Sequence, residues 1–198
     1  MYQVIAGTFI CFGIAFSAYR KKSLTKSGLY CALGMGILLS IIGGLYFLSL
    51  LVTFFISSNL IGRFSKKMEN QLARIHAKSG VRDYSQVLAN GFPAFVFATI
   101  FYFTADHIYI LGFATAIASS NADTWGSELG VLSKKSPVSI VTWKPIQTGL
   151  SGGITATGSL ASLAGAMLIA VIFIAGYYLT YGTAEPLSTL FILCTVGG

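Results

Sequence analysis

The length of the uncharged stretches constrains this chain more than any other feature. The run Gly28–Ser57 contains 30 consecutive residues without Asp, Glu, Lys or Arg. A helix needs about 20 predominantly apolar residues to span a bilayer, so this run crosses either once with a strong tilt or twice as a tight hairpin. Charged residues are 10% of the chain, against about 25% in soluble domains. We therefore predict an all-α fold, a polytopic bundle of transmembrane helices.

The pattern of apolar runs predicts about six to seven spans in a single integral membrane domain, residues 1–198. They are residues 2–19, 28–42, 45–61, 87–104, 108–122, 152–178 and, in part, 187–198. Dividing the long run at Gly43-Gly44, where glycine permits a sharp turn, places the loops 20–27, 62–86 and 123–148 on one side. These loops are basic, so the positive-inside rule makes that side cytoplasmic.

The last apolar run is about 12 residues long, too short to cross a bilayer. We therefore expect the chain to be incomplete at its C-terminus. The absence of an Arg- and Ser-rich leader predicts a bacterial inner (plasma) membrane, with a mature or partial organellar chain as the alternative. The three cysteines, Cys11, Cys31 and Cys194, lie in apolar runs. Their odd number and spacing predict neither a disulfide framework nor a cysteine metal site.

The net charge of +7 has a simpler explanation than nucleic acid, because basic loops beside apolar spans orient membrane proteins. No nucleic-acid-binding module is recognisable, so we predict no nucleic acid partner. Such loops also attract anionic membrane lipid or a phosphorylated substrate.

A first polar segment precedes and enters the predicted span 87–104. Arg82, Gln86 and Asn90 follow one another at intervals of four, which places them on one face of a helix. Amides at this depth must find a partner in the bundle interior or in a wet cavity. Hydrogen bonding between helices explains Gln86 and Asn90 equally well, whereas the planar fork of Arg82 suits phosphate.

A second polar segment ends the predicted span 108–122. It contains oxygen-bearing side chains: Asn121, Asp123, Thr124, Ser127 and Glu128. Two carboxylates beside hydroxyl and amide groups suit a hard cation such as Mg²⁺, and acidic groups near the membrane interior are costly. The plainer alternative is that Asp123 caps a short interfacial helix and Glu128 is solvated.

A third segment, Thr148–Gly158, is rich in glycine and hydroxyl groups and leads into the span 152–178. Free N–H groups at such a helix start, together with the helix dipole, hold phosphate. Ordinary close packing is the alternative for the glycine pair. Lys144 precedes this segment in a turn on the same predicted side of the membrane.

Four motifs resemble the transmembrane protein 19 family, also called domain of unknown function 92, which includes plant phytyl-phosphate kinase. The resemblance covers nearly the whole chain and rests on Lys22–Gly28, Arg82–Gly91, Asn121–Gly130 and Thr148–Thr155. It implies a prenyl-phosphate kinase, which transfers a phosphate from a nucleotide triphosphate, with CTP expected, to a lipid-soluble prenyl monophosphate such as phytyl phosphate.

The leading hypothesis is therefore a Mg²⁺-dependent phosphotransferase. Asp123 and Glu128 are expected to hold the metal, and Arg82 to neutralise phosphate charge. The expected binding residues are Gln86, Asn90, Asn121, Thr124, Ser127, Lys144, Thr148, Ser151, Gly152, Gly153 and Thr155. The alternative is a membrane transporter or channel for a small anion or lipid phosphate, since carriers also use polar stripes and glycine-rich helix starts. The sequence leaves the acceptor's chain length and the oligomeric state open.

Overall fold

The computed structural model describes residues 2–71, 81–148, 150 and 152–182, with the backbone alone for residues 69–71. Its helices are α1 (Tyr2–Arg20), α2 (Lys26–Gln71), α3 (Tyr84–Thr104), α4 (Ile108–Gly130) and α5 (Ala156–Tyr181). Two short strands, β1 (Val138–Ser139) and β2 (Gly153–Ile154), pair antiparallel between α4 and α5. The predicted all-α helix bundle is confirmed.

The long apolar run reverses direction inside α2. Gly44 has φ 63° and ψ −153°, a conformation essentially restricted to glycine, and it divides α2 into a first arm (26–43) and a second arm (45–71). The second arm returns to the segment just before α2, because Nη2 of Arg63 donates a 3.1 Å hydrogen bond to Oγ of Ser23. A straight helix would place Lys26 and Arg63 roughly 55 Å apart. The reversal lies at the glycine pair where the sequence predicts a hairpin.

Judged by length and composition, fewer helices of the described residues qualify as membrane-crossing than the six to seven spans predicted. Four helices are long and apolar enough to cross a membrane: α1, α2, α3 and α5. Three differences account for the gap. The two predicted spans of the long run form one helix interrupted at Gly44, α4 is too polar in its second half to qualify, and the predicted partial span 187–198 lies outside the described residues.

Helix α4 lies at the centre of the bundle. It packs against α2, α3 and α5, and its side chains Ile110, Phe113 and Ile117 are fully buried. Phe113 stacks on Phe47 of the second arm of α2 with ring centres 4.4 Å apart. Because protein surrounds α4, its polar residues can be satisfied by neighbouring helices rather than exposed to lipid.

One end of the bundle gathers the polar segments. Helices α1 and α4 end there, α3 and α5 begin there, and both ends of α2 lie there. Every described Lys and Arg lies in or beside these helix ends. The described residues at the opposite end carry one formal charge, Asp106, and an aromatic cluster in which Nδ1 of His107 lies 2.6 Å from the hydroxyl of Tyr177.

Candidate functional site

Half of the predicted site residues surround a cavity of about 570 Å³ at the polar end of the bundle, here called the basic cavity. Its polar and charged lining residues are Lys21, Lys22, Ser23, Ser58, Asn59, Arg63, Lys66, Arg82, Gln86, Asn90, Asp123, Thr124, Ser127 and Glu128. Five of these side chains are basic and two are acidic. The excess of positive charge favours an anionic ligand.

Arg82 is held in place by the segment that joins α1 to α2. Its N–H donates to the carbonyl of Ser23 over 3.0 Å, and its carbonyl accepts from the N–H of Thr25 over 2.9 Å. Leu24, between them, is buried. Thr25 also caps α2 by accepting from the N–H of Gly28 over 3.1 Å. A side chain at Gly28 would collide with the carbonyl oxygen of Arg82, so this segment fixes the arginine backbone beside the start of α2.

The guanidinium of Arg82 lies between an aromatic ring and a carboxylate. Its Cζ is 5.7 Å from the centre of the Phe54 ring, and it interacts electrostatically with Glu128. Burial lowers the pKa of Arg82, and the negative charge of Glu128 raises it. Arginine stays protonated in proteins, so Arg82 supplies a permanent positive charge in a partly desolvated cavity, where charges interact more strongly than in water.

The start of α3 orients Gln86 and Asn90, here called the amide stripe, which follow Arg82 at intervals of four residues. Asp83 is the N-cap of α3, and its Oδ1 accepts from the N–H of Gln86 over 3.1 Å and from the hydroxyl of Ser85 over 2.7 Å. These two hydrogen bonds, led by that of Ser85, lower the pKa of Asp83. Further along, the carbonyl of Asn90 accepts from Oγ of Ser120 in α4 over 2.9 Å. Arg82, Gln86 and Asn90 all line the basic cavity.

The second half of α4 forms the opposite wall. Asp123 and Ser127 are exposed side chains, and Thr124 and Glu128 are half-buried. The hydroxyls of Thr124 and Ser127 donate to α4 carbonyls, those of Ser120 over 2.9 Å and Thr124 over 3.1 Å. Ser65 in the second arm of α2 donates to the carbonyl of Glu128 over 2.6 Å. Asp123 lines the basic cavity beside these residues.

Asn121 is predicted to bind substrate, but its side chain lies inside the bundle. Its side chain is fully buried. Its Oδ1 accepts from the hydroxyls of Ser57 over 3.0 Å and Ser58 over 3.2 Å, and its Nδ2 donates to the carbonyl of Gly165 over 2.8 Å. Asn121 therefore joins α4 to both α2 and α5 and does not line the basic cavity.

A second cavity, of about 610 Å³, lies on the other side of α4 and is here called the glycine-rich cavity. Its lining includes Asp123, Ser127, Thr148, Gly152, Gly153, Thr155, Gly158, Ser159 and Ser162. Thr155 caps α5 by accepting from the N–H of Gly158 over 3.0 Å. Gly152 has φ +80°, and its carbonyl accepts from the N–H of Ile140 over 3.0 Å. The loop before α5 is thus held against the strand pair.

The predicted site residues consequently divide between two cavities rather than forming one. Asp123 and Ser127 line both, so this part of α4 is a shared wall. Lys144 is exposed in the turn after β1 and lines neither cavity. Ser151 lies outside the described residues.

A third cavity, here called the apolar cavity, joins the basic cavity from the membrane side. It lies between α1, both arms of α2 and α3, and encloses about 70 Å³. Its apolar lining includes Cys11, Ile14, Met35, Gly36, Leu48, Leu51, Val52, Phe54, Phe55 and Val87. Arg82, Gln86 and Asn90 line both this cavity and the basic cavity. The amide stripe therefore borders an apolar space on one side and a charged space on the other.

Sequence reasoning missed four of the basic residues in the cavity: Lys21, Lys22, Arg63 and Lys66. Their charge is apparent in the sequence and indicates membrane orientation and attraction of anionic lipid or phosphate, but no local pattern assigns these four side chains to a site. Arg63 and Lys21 are far apart in the sequence and meet only because α2 turns back at Gly44. Pairing each basic cluster with the predicted hairpin would have found them.

The donor groups fit Mg²⁺ only together with a phosphate ligand. Among the described residues, no group of three or more His, Cys, Asp or Glu side chains could hold a metal ion. Asp123 and Glu128 line the basic cavity with the hydroxyls of Thr124 and Ser127. In phosphotransferases Mg²⁺ takes one or two carboxylates and completes its shell with phosphate oxygens and water, which matches this set.

Comparison with known protein families identifies the family of the chain. The model of the integral membrane protein family DUF92 matches residues 9–198. The chain belongs to the DUF92 family. The resemblance predicted from the four motifs is confirmed, and this DUF92 protein is an integral membrane protein. No solved structure gives a significant match.

Three relatives resemble this DUF92 protein along most of its length. An uncharacterised membrane protein of Methanocaldococcus jannaschii is 32% identical over 93% of the chain and 73% of its own length. Protein PGR of Arabidopsis thaliana is 29% identical over 98% of the chain and 75% of its own length. An uncharacterised membrane protein of Synechocystis is 26% identical over 77% of the chain and 60% of its own length.

Proposed function

We propose that this DUF92 protein is a prenyl-phosphate kinase that transfers the terminal phosphate of a nucleotide, with CTP as the expected donor, to a prenyl monophosphate. One observation carries the proposal: the basic cavity shares Arg82, Gln86 and Asn90 with an apolar cavity, and shares Asp123 and Ser127 with a glycine-rich cavity. A lipid phosphate needs a charged space next to an apolar one, as the basic and apolar cavities provide. A second phosphate-bearing substrate needs a further space beside the first phosphate, as the glycine-rich cavity provides.

The acceptor occupies the basic and apolar cavities. Its phosphate lies among the five basic side chains, and Arg82 offers two parallel N–H groups to phosphate oxygens. The first part of its prenyl tail enters the apolar cavity past Gln86 and Asn90. The amides thus stand where the ligand changes from polar to apolar.

The donor nucleotide binds in the glycine-rich cavity. Backbone N–H groups before and at the start of α5, around Gly152 and Gly153, face its phosphates, and the helix dipole of α5 favours negative charge at that end. The terminal phosphate extends towards Asp123 and Ser127, which line both cavities. At this shared wall the terminal phosphate passes from the nucleotide to the prenyl monophosphate.

The reaction requires positioning and charge neutralisation rather than a general base. An anionic oxygen of the prenyl monophosphate attacks the terminal phosphorus of the nucleotide. A new P–O bond forms as the bond from that phosphorus to the bridging oxygen breaks, and the nucleoside diphosphate leaves with the electron pair. Asp123 and Glu128 would hold a Mg²⁺, which would supply neutralisation of the phosphate charge. Glu128 also balances Arg82 when no phosphate is bound.

The site faces the cytoplasm of a bacterial-type inner membrane. All described Lys and Arg lie at the polar end of the bundle, and cytoplasmic loops of membrane proteins carry an excess of these residues. Nucleoside triphosphates are also cytoplasmic solutes, so both arguments favour the cytoplasmic side for the polar end.

Reconstituted full-length protein tests the proposal directly. Vesicles receive CTP labelled in its terminal phosphate, Mg²⁺ and phytyl phosphate, and labelled prenyl diphosphate is measured. Asp123→Asn should lower the rate by about 100-fold or more, the usual cost of removing one electrostatic contact to the transition state. Asp106→Asn, an acidic residue at the opposite end of the bundle, is the matched control and should keep the rate. Uptake of phosphate or lipid phosphate into the vesicles without phosphate transfer would refute the kinase proposal in favour of the transporter.

A further inference from the structure

A groove runs along the outside of the bundle between α1 and the second arm of α2. It encloses about 580 Å³. Ile10, Ile14, Ile56 and Leu60 line its apolar part, and Lys21 and Arg63 lie at its polar end. Apolar walls that lead to two basic side chains match the shape and charge of a single-chain lipid phosphate.

The groove faces the region where lipid surrounds the helices. Ile56 and Leu60 are 45% and 61% exposed, and both walls belong to helices apolar enough to cross a membrane. Gly13 lies in the middle of the α1 wall, and a Cβ at this position would contact nothing within 4 Å. A tail from the bilayer therefore meets an open wall at Gly13.

The groove connects with both parts of the acceptor site. Lys21, Ser23, Asn59 and Arg63 also line the basic cavity. Ile14 and Phe55 also line the apolar cavity, so these two side chains stand between the groove and the bundle interior. A lipid whose phosphate reaches Arg63 has its tail beside Ile14 and Phe55.

The sizes of the two spaces favour such a connection. The apolar cavity encloses about 70 Å³, and the groove encloses about 580 Å³ by the same measure. A long prenyl tail therefore has far more room in the groove, which is an adjoining space with apolar walls.

We propose that the lipid monophosphate enters sideways from the bilayer through this groove. Lys21 and Arg63 capture the phosphate and pass it inward to Arg82, while the tail slides between Ile14 and Phe55 and its far end stays in the groove. This inference rests on the proposed function for its substrate class. It adds the route, and it predicts that tail length matters at the groove.

Gly13→Trp tests the route by filling the groove, and Gly34→Trp is the matched control. Gly34 is also a glycine on an apolar helix with nothing within 4 Å of its Cβ position, but it lines none of the four cavities described. With a twenty-carbon prenyl phosphate, Gly13→Trp should raise KM about tenfold, the effect of displacing roughly two methylene groups from an apolar site. A five-carbon prenyl phosphate, which reaches the basic cavity from water, should keep its KM. An unchanged KM for the long substrate would overturn the route.

Photocrosslinking gives a readout that does not depend on catalysis. A benzophenone amino acid replaces Gly13 or Gly34, and vesicles receive labelled twenty-carbon prenyl phosphate without nucleotide. Labelling at position 13 alone, displaced by unlabelled prenyl phosphate, supports the groove even if no variant transfers phosphate, in which case the kinase proposal fails by itself. Equal labelling at both positions would overturn the route. So would labelling at position 13 that phosphatidylglycerol displaces and prenyl phosphate does not, because the occupant would then be ordinary membrane lipid.

Discussion

Replacing Asn121 with leucine should destabilise the bundle without removing a catalytic group. Leucine has the same branched shape and heavy-atom count but cannot hydrogen-bond, so the substitution removes the contacts to Ser57, Ser58 and Gly165. Side-chain hydrogen bonds between membrane helices average about 0.6 kcal/mol, so three of them amount to about 2 kcal/mol. The buried groups left behind raise the expected loss to about 2–4 kcal/mol.

Unfolding in mixed detergent and SDS micelles measures this loss. Ser58→Ala removes one of the three bonds and should cost about 0.6 kcal/mol. Thr115→Val is the control on the same helix, because its hydroxyl donates to Leu111 within α4 over 2.9 Å; it should leave the stability nearly unchanged. Asn121→Leu protein that remains folded should still transfer phosphate. Wild-type stability together with abolished transfer would refute this reasoning and restore Asn121 to the site.

Two further predictions concern the surroundings of Arg82. Gly28→Ala should displace the Arg82 backbone and lower the transfer rate by about tenfold or more, as small misplacements in catalytic sites do, whereas Gly34→Ala should have no effect; equal rates for the two variants would contradict the role of Gly28. Asp83→Ala should lower thermal stability by removing the α3 cap. Because the pKa of Asp83 is lowered in the folded protein, its stabilisation is present in full above the unfolded pKa of about 3.9 and is lost as the pH falls through the folded value. The stability difference between wild type and Asp83→Ala should therefore be constant near neutral pH and shrink in acid, and a difference that persists unchanged in acid would contradict this.

Features with local causes were predictable from the sequence. The turn in α2 follows from a glycine pair in the middle of a run too long for one crossing, and Gly44 has the backbone conformation that glycine permits. The stripe of Arg82, Gln86 and Asn90 follows from helical periodicity, and all three side chains line one cavity. Neither inference required knowledge of the neighbouring helices.

Features that depend on packing between distant segments were not predictable. Asn121 lies within two residues of Asp123 in the sequence, yet neighbouring helices bury Asn121 and leave Asp123 exposed. Thr148 and Gly153 belong to the other side of α4 from Arg82, a separation that only the position of α4 in the bundle decides. Local patterns specify which residues share a helix face, but not which helix meets that face.

The hydrogen bonds of Asn121 also constrain the order in which the chain is assembled. Its partners Ser57 and Ser58 are synthesised before α4, whereas Gly165 is synthesised after it. Helix α4 is not among the helices apolar enough to cross a membrane by themselves, so it needs α2 to shield its polar side chains as it leaves the translocon. Until α5 follows, the amide of Asn121 lacks its carbonyl acceptor on Gly165. A nascent chain halted before Gly165 should therefore hold α4 loosely, exposed to membrane quality-control proteases, and insertion of α5 is the step that locks the bundle.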